Sequence, residues 1–265
     1  MKFKERTDLG TLLSRWTLRL VPRTVLQRVG RTVLRALAPL YRGRRLTCPI
    51  CEASYRAFLP YGRVDVREDA LCPGCLSLER HRLLWLFLRE ETAVFDTPAH
   101  LLHIAPALCF AEAFARQDRL AYVTGDRDSP WAEHTLDAHA MPFADAQFDV
   151  LICNHVLEHV RDDRACLREF RRVLAPGGHA LLQSPVDPSL DLTIEDAADA
   201  TTAVQAAHFR QDDHVRYYGR DYADRLRAAG FIVTEHPFLQ RLPESDKQRY
   251  ALPRNEAIYW CEVPA

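Results

Sequence analysis

The sequence predicts an α/β fold: a mostly parallel sheet with helices on both faces, fronted by a small cysteine module. Three observations predict it. From residue 100 onward, short apolar runs of strand length alternate with segments of helical periodicity. Two Cys-x-x-Cys pairs precede that region. The composition, 48% apolar and 27% charged over 265 residues, suits one main domain with an appendage.

The elements follow in order. Leu101 to Ala105 reads as the first strand and Ala107 to Arg116 as a helix; Leu120 to Gly125 is the second strand. Phe148 to Asn154 contains the apolar run Val150 to Cys153, the pattern of a strand buried on both faces. Asp162 to Leu174 is helical, because Cys166, Leu167, Phe170, Val173 and Leu174 repeat at helical spacing. Ala175-Pro-Gly-Gly178 stops that helix, and His179 to Ser184 is the next strand. Residues 186–218 form an irregular insertion. Arg220 to Ala229 is a helix closed by Gly230, and Phe231 to Glu235 and Ala257 to Glu262 are the last strands.

Ahead of this region, Cys48-Pro-Ile-Cys51 and Cys72-Pro-Gly-Cys75 are separated by twenty residues. That spacing is the pattern of a four-thiolate zinc site. Four thiolates close the tetrahedron, so the zinc is structural. His81 is a spare donor that the four cysteines make unnecessary. The following segment, Leu76 to Glu91, reads as a helix carrying Leu83, Leu84, Trp85, Phe87 and Leu88. Cys109, Cys153, Cys166 and Cys261 lie in apolar segments and read as core residues.

Charge is unevenly spread. Residues 1–46 carry twelve Lys/Arg against two Asp/Glu, while the chain as a whole has a net charge of −1. A basic head therefore sits on an acidic body, which argues against broad nucleic-acid binding. Val25 to Leu37 forms an amphipathic helix with Arg28, Arg31 and Arg35 opposite its apolar face. Such a helix docks on the domain or lies on an anionic membrane surface. The organisation expected is a basic segment over 1–45, a zinc module over 46–92 and the α/β domain over 93–265. No apolar run reaches the length of a membrane span, and arginines interrupt residues 15–35, where a leader's apolar stretch would sit. A cytoplasmic location is expected, peripheral on a membrane if the basic segment engages one.

Residues 100–185 resemble the class I S-adenosylmethionine-dependent methyltransferases, in particular the type 11 group. The resemblance rests on the run Met141-Pro-Phe-Ala-Asp-Ala-Gln-Phe-Asp-Val-Leu-Ile-Cys-Asn-His-Val-Leu-Glu-His159 and on Arg-Val-Leu-Ala-Pro-Gly-Gly, residues 172–178. It extends loosely through Arg225 to Phe231. It implies a Rossmann-like, seven-stranded sheet with the cofactor across the carboxyl ends of the strands. His103, Ala105 and Pro106 then close the first strand against the cofactor. Asp126 accepts from the ribose hydroxyls, and Asp137 with the Ala138 backbone meets the adenine. Asn154 and His155 lie beneath the sulfonium. Taken singly, Asp126 and Asp137 could equally be solvated loop carboxylates or caps.

One departure stands out. The segment Leu101 to Phe110 has no glycine, where the family usually has a glycine-rich loop. For catalysis His155 and His214 are the candidates, as general bases if the acceptor is a hydroxyl. His155 and His159 would share a face if a helix began at His155, and Asp213 would orient His214. Arg216 with Tyr217 or Tyr218 would hold an anionic or sugar-like acceptor. The function implied is methyl transfer to a small molecule or glycan. The alternatives are an RNA methyltransferase, using Arg42, Arg44, Arg45, Arg80 and Arg82 around the cysteines, and a non-catalytic binding module.

Overall fold

The computed structural model describes residues 32–62, 66–129, 132–195 and 214–265. A helical segment at 32–37 leads into a short 3-10 turn, Ala38–Tyr41. The rest of the expected 25–37 helix lies outside the described residues. Two small antiparallel pairs follow: β1 (Arg42–Thr47) with β2 (Ser54–Tyr55), and β3 (Leu59–Tyr61) with β4 (Arg67–Leu71). Then comes helix α1 (Glu79–Glu90).

The main sheet has seven strands. They are β5 (Ala99–Ile104), β6 (Leu120–Asp126), β7 (His134–Thr135), β8 (Phe148–Asn154), β9 (Leu174–Gln183), β12 (Ile232–His236) and β13 (Ile258–Glu262). Their order is β12-β13-β9-β8-β5-β6-β7. β6 and β8 flank β5 in parallel, β9 runs parallel to β8, and β13 is antiparallel to both β9 and β12. From β5 the chain first builds outward to β6 and β7, then crosses back to β8 on the other side. That reversal opens a crevice at the carboxyl ends of β5 and β8, where ligands bind in open α/β sheets. The expected seven-stranded, Rossmann-like sheet is the one observed.

Side chains alternate across the sheet with period two. Leu101, Val150, Ile152, Leu181 and Ile258 enter one core; Leu102, Ile104, Leu151, Cys153, Ala180, Leu182 and Cys261 enter the other. The second core is covered by α3 (Asp163–Val173) and α4 (Tyr222–Ala228), which bury Phe170 and Leu226. The first is covered by α2 (Leu108–Phe114) and by α1, and it runs without a break into Cys48, Tyr55, Phe58 and Cys72. The cysteine module is thus continuous with the core under one face of the sheet.

Two local expectations change. Ala175-Pro-Gly-Gly178 does not form a loop: β9 starts at Leu174, and its register against β8 slips between Phe148 and Val150. The irregular pairing accommodates the proline and glycines, with Gly177 at φ 73°. β7 and two short helices, α5 (Phe238–Arg241) and α6 (Glu244–Arg249), were not anticipated. In the insertion, β10 (Ile194–Glu195) pairs antiparallel with β11 (Arg216–Tyr217). Asp213 lies outside the described residues. None of the described helices is long and apolar enough to cross a membrane.

Candidate active site and cysteine cluster

The carboxyl ends of β5, β6 and β8 bring Ala105, Asp126, Asn154 and His155 into one row, because these strands are neighbours. Ala105 sits at φ 49°, in the left-handed region, and its amide donates to the Gly125 carbonyl at 2.8 Å. An L-residue there costs about 1–2 kcal/mol. The turn that glycine usually supplies is therefore made by alanine, which answers the absence of glycine from the segment. Gly125, opposite, is a position of close approach: a Cβ would lie 2.1 Å from Leu136 Cδ2.

Asp126 Oδ1 accepts from the amides of Asp128 and Ser129, both at 2.7 Å, which fixes the loop after β6. Its Oδ2 takes part in neither bond. Asp137 Oδ1 accepts from the His139 amide at 2.9 Å and lies 2.6 Å from His139 Nδ1. These contacts, the amide first, hold its carboxyl below the ordinary range. Ala138 is buried beside it. The Met141–Asp145 loop is organised by Arg172, which donates to the Met141 and Phe143 carbonyls and pairs with Asp145 and Glu169. The two motifs that carry the family resemblance thus touch each other.

His103 is fully buried, its Nδ1 3.0 Å from Tyr122 Oη and its ring against Phe110 and Phe114. Burial pushes it down to about 3, so the imidazole is neutral. Its side chain is spent on the core, which leaves only its backbone for the cofactor contact expected of it. Pro106 follows Ala105 in the turn that leads into α2.

Asn154 is buried, and its Oδ1 has no hydrogen-bond partner among the described residues. No helix begins at His155. That residue is left-handed at φ 58°, its amide donates to the Gln183 carbonyl at 2.8 Å, and α3 starts only at Asp163. The turn nevertheless gathers the histidines around one carboxylate. His155 Nδ1 lies 3.1 Å from Glu158 Oε1, and His159 Nε2 lies 4.0 Å from the same oxygen. Glu158 is almost fully buried; Ser184 Oγ donates to its Oε2 at 3.0 Å, and the Val215 amide donates to its carbonyl at 2.9 Å. That last bond brings His214 alongside, with its ring 4.8 Å from that of His159. Burial, the largest single influence, would raise Glu158; the contact and charge of His155, a backbone amide and His159 together outweigh it and hold the carboxyl below its usual value.

Arg216 and Tyr218 do not face an acceptor. Arg216 is buried and donates to the Leu157, Val160 and Arg161 carbonyls, and Tyr218 Oη donates to Asp163 Oδ2 at 2.8 Å. They clamp the insertion to the start of α3. Two residues that the sequence did not place near this site are Arg80, from α1, read there only as an RNA contact, and Glu256, from the loop before β13. Arg80 Nε has no hydrogen-bond partner among the described residues, and Glu256 is pushed up to about 7, chiefly by burial. No local pattern marks Glu256.

The four module cysteines converge. Cys48 Sγ lies 3.5 Å from Cys75 Sγ, and Cys51 Sγ lies 3.8 Å from Cys72 Sγ, with Ser77 Oγ 3.3 Å from Cys48 Sγ. All four ligand atoms fall within 4.8 Å of one another, and none of these cysteines is in a disulfide. His81 stands apart: its Nδ1 accepts from the Leu78 amide and touches Cys109. Cys109, Cys153, Cys166 and Cys261 are buried and free, as expected. A cavity of about 300 Å³ opens beside Cys51 and Cys75, ringed by Arg35, Arg42 and Arg116; none of Ala105, Asp126, Asn154 or His155 lines it. Arg35 donates to the Gly74 carbonyl at 3.1 Å and pairs with Glu112, so the described end of the basic head rests on the module and α2.

Residues 105–182 match the family model described as a methyltransferase domain, type 11. Over 100 residues the chain is 36% identical to the uncharacterized protein YafE of Escherichia coli, covering 36% of this chain and 44% of that one. Over 132 residues it is 30% identical to the malonyl-(acyl-carrier protein) O-methyltransferase of Halorhodospira halophila, covering 48% of this chain and 41% of that one. The match spans less than half the length of these curated relatives. The cyclase SpnF has the same fold, with a TM-score of 0.50 at 15% identity, covering 88% of this chain and 93% of that one. Residues 105–182 are thus similar to a methyltransferase domain, and they lie in a Rossmann-like sheet that continues past the matched segment in both directions.

Proposed function

We propose that this protein transfers a methyl group from S-adenosylmethionine to a small-molecule or glycan acceptor, with a structural zinc ion in its four-cysteine module. The observation that carries the proposal is the row of Ala105, Asp126, Asn154 and His155 at the strand ends, inside the matched methyltransferase segment. The residues fit the cofactor. The left-handed Ala105 turn lets backbone approach it closely, and the Asn154 Oδ1 is a buried acceptor with no protein partner among the described residues. Asp126 would hold the ribose through Oδ2, and Asp137 with Ala138 would hold the adenine. The cofactor, when bound, supplies a methyl group already activated on a sulfonium, so the protein has mainly to orient the acceptor and keep water out.

His155 is the base in this reading. Glu158 engages its Nδ1, which orients the ring and leaves Nε2 to take the acceptor's proton. His214 is the second candidate, brought into the same cluster by the Val215–Glu158 bond. For the module, sulfur separations of 3.5 and 3.8 Å match the edges of a tetrahedron with metal–sulfur bonds of about 2.3 Å. A cytoplasmic protein, with the basic head available to an anionic surface, completes the proposal. The RNA alternative loses one of its contacts, since Arg82 is fully buried.

Calorimetric titration of the zinc-loaded protein with S-adenosylmethionine and with S-adenosylhomocysteine tests the reading. Micromolar binding is expected, followed by an acceptor screen that begins with saccharides. A well-folded sample that binds neither ligand would overturn it in favour of a non-catalytic module.

A further inference from the structure

We infer that Glu158, His159 and His214 form a second metal site, which takes one divalent first-row transition ion beside the acceptor. The three ligand atoms lie within 4.8 Å of one another, and they come from two separate elements, the turn after β8 and the segment before β11. The carboxylate is already organised as a ligand. His155 engages its Oε1 at 3.1 Å and Ser184 Oγ donates to its Oε2 at 3.0 Å, the kind of outer contacts that fix a ligating group.

The need for a cation follows from burial. Glu158 is 1% exposed. Among the described residues the side chains at ion-pair distance from it are the imidazoles of His155 and His159, which are charged only when protonated, with no lysine or arginine among them. A carboxylate out of water is costly unless a positive charge faces it. Two imidazoles and one carboxylate are the donor set of manganese, iron, nickel or zinc sites, whereas calcium and magnesium favour oxygen alone. Three protein ligands leave coordination positions open. The site follows His155 on the same turn, so the open positions suit an oxygen donor of the acceptor, a hydroxyl or a pair of neighbouring hydroxyls. That placement rests on the methyltransferase reading; the binding of the ion does not.

The test is a titration of the full-length protein, loaded with one equivalent of zinc that the four thiolates take in preference, with manganese chloride, in the absence of cofactor, with free Mn²⁺ read by electron paramagnetic resonance. Manganese is a poor match for thiolates, so the cysteine cluster does not compete for it. One Mn²⁺ bound per chain is expected, with affinity falling at least about ten-fold in Glu158→Gln and in His159→Ala. His159 is a partly exposed residue, so His159→Ala keeps the melting temperature of the wild type and guards against misfolding in the Glu158 variant. A wild-type protein that leaves Mn²⁺ free, or both variants binding as tightly as the wild type, would overturn the site. S-adenosylhomocysteine binding is measured on the same samples. Metal binding without it upholds the site and overturns the methyltransferase reading; nucleoside binding without metal does the reverse.

Discussion

Replacing Arg82 by methionine should lower the melting temperature by about 7 °C. The side chain is fully buried and donates to five carbonyls: Tyr250 at 2.6 Å, Ala251 at 2.6 Å, Ala70 and Ser77 at 2.9 Å, and Asp69 at 3.4 Å. Its guanidinium also lies 4.6 Å from the centre of the Phe58 ring. Three of these carbonyls belong to the cysteine module and two to the segment before β13, so one side chain bolts the two together. Methionine keeps much of the stem's packing but leaves the carbonyls without a donor. A buried polar group left unpaired costs about 1–3 kcal/mol. Taking the lower figure for the four shorter bonds gives a loss of about 4 kcal/mol. Unfolding entropy of about 2.1 cal/mol/K per residue makes each degree worth about 0.55 kcal/mol in a chain of this length, hence about 7 °C. The assay is a circular-dichroism melt at constant zinc. Arg82→Lys should lose about half as much, because lysine keeps the charge but brings three donors in place of five. An Arg82→Met melt within about 2 °C of the wild type would refute the claim that this contact joins module to sheet.

Three further outcomes follow. Removing zinc with a chelator should lower the melting temperature of the whole chain in a single transition, because Cys48 and Cys72 share a core with Leu101, Phe110 and Ile152; a separate low-temperature transition that leaves the main melt unmoved would contradict this. Asp126→Asn should keep the caps on Asp128 and Ser129 and so leave the melt nearly unchanged, while S-adenosylhomocysteine affinity falls by about ten-fold or more, the cost of losing a charge-assisted bond; unchanged affinity in calorimetry would remove Asp126 from the ribose site. Glu256 has a folded-state pKa of about 7 against an ordinary 4.5, so between those values the native state holds the extra proton. Stability should fall as pH rises through that window and level off above it, and Glu256→Gln should flatten the slope in melts taken from pH 4.5 to 8.

The parts of the fold legible in the sequence are those whose signal is local. β8 runs from Phe148 to Asn154 as read, because a buried parallel strand is a continuous apolar run. α3 carries its cap at Asp162, which accepts from the Ala165 amide. The cysteine pairs announce themselves by spacing. What was not legible depends on contacts across the chain. β7 is two residues long and exists only as a partner for Asp126 and Gly125. The histidine spacing at 155 and 159 suggested a helix; the left-handed backbone at His155 forbids one there, yet Glu158 gathers both rings without it. Arg216 and Tyr218 read as acceptor groups because they are polar residues in an irregular segment, whereas the turn after β8 supplies the carbonyls, and the start of α3 the carboxylate, that bury them. Arg80 and Glu256 lie far apart in sequence, and nothing local brings them together.

The position of the module explains why a structural metal would accompany this site at all. α1 buries eight successive residues, His81 to Leu88, of which Leu83 to Leu88 join the core on the sheet face that α2 also covers. Its first turn sets His81 against Phe110 in a tilted ring contact, and Phe110 belongs to α2, the helix that follows the Ala105 turn. Ala105 is held in a conformation that alanine adopts at a cost, so the elements on either side must over-determine it. β6 fixes one side through the Gly125 carbonyl, which accepts from the Ala105 amide; α2 fixes the other, and α2 is backed by α1. A glycine in place of Ala105 would make the turn without such support. A sequence with no glycine there needs a rigid layer behind α2, and a helix anchored at its start by a four-cysteine cluster is such a layer.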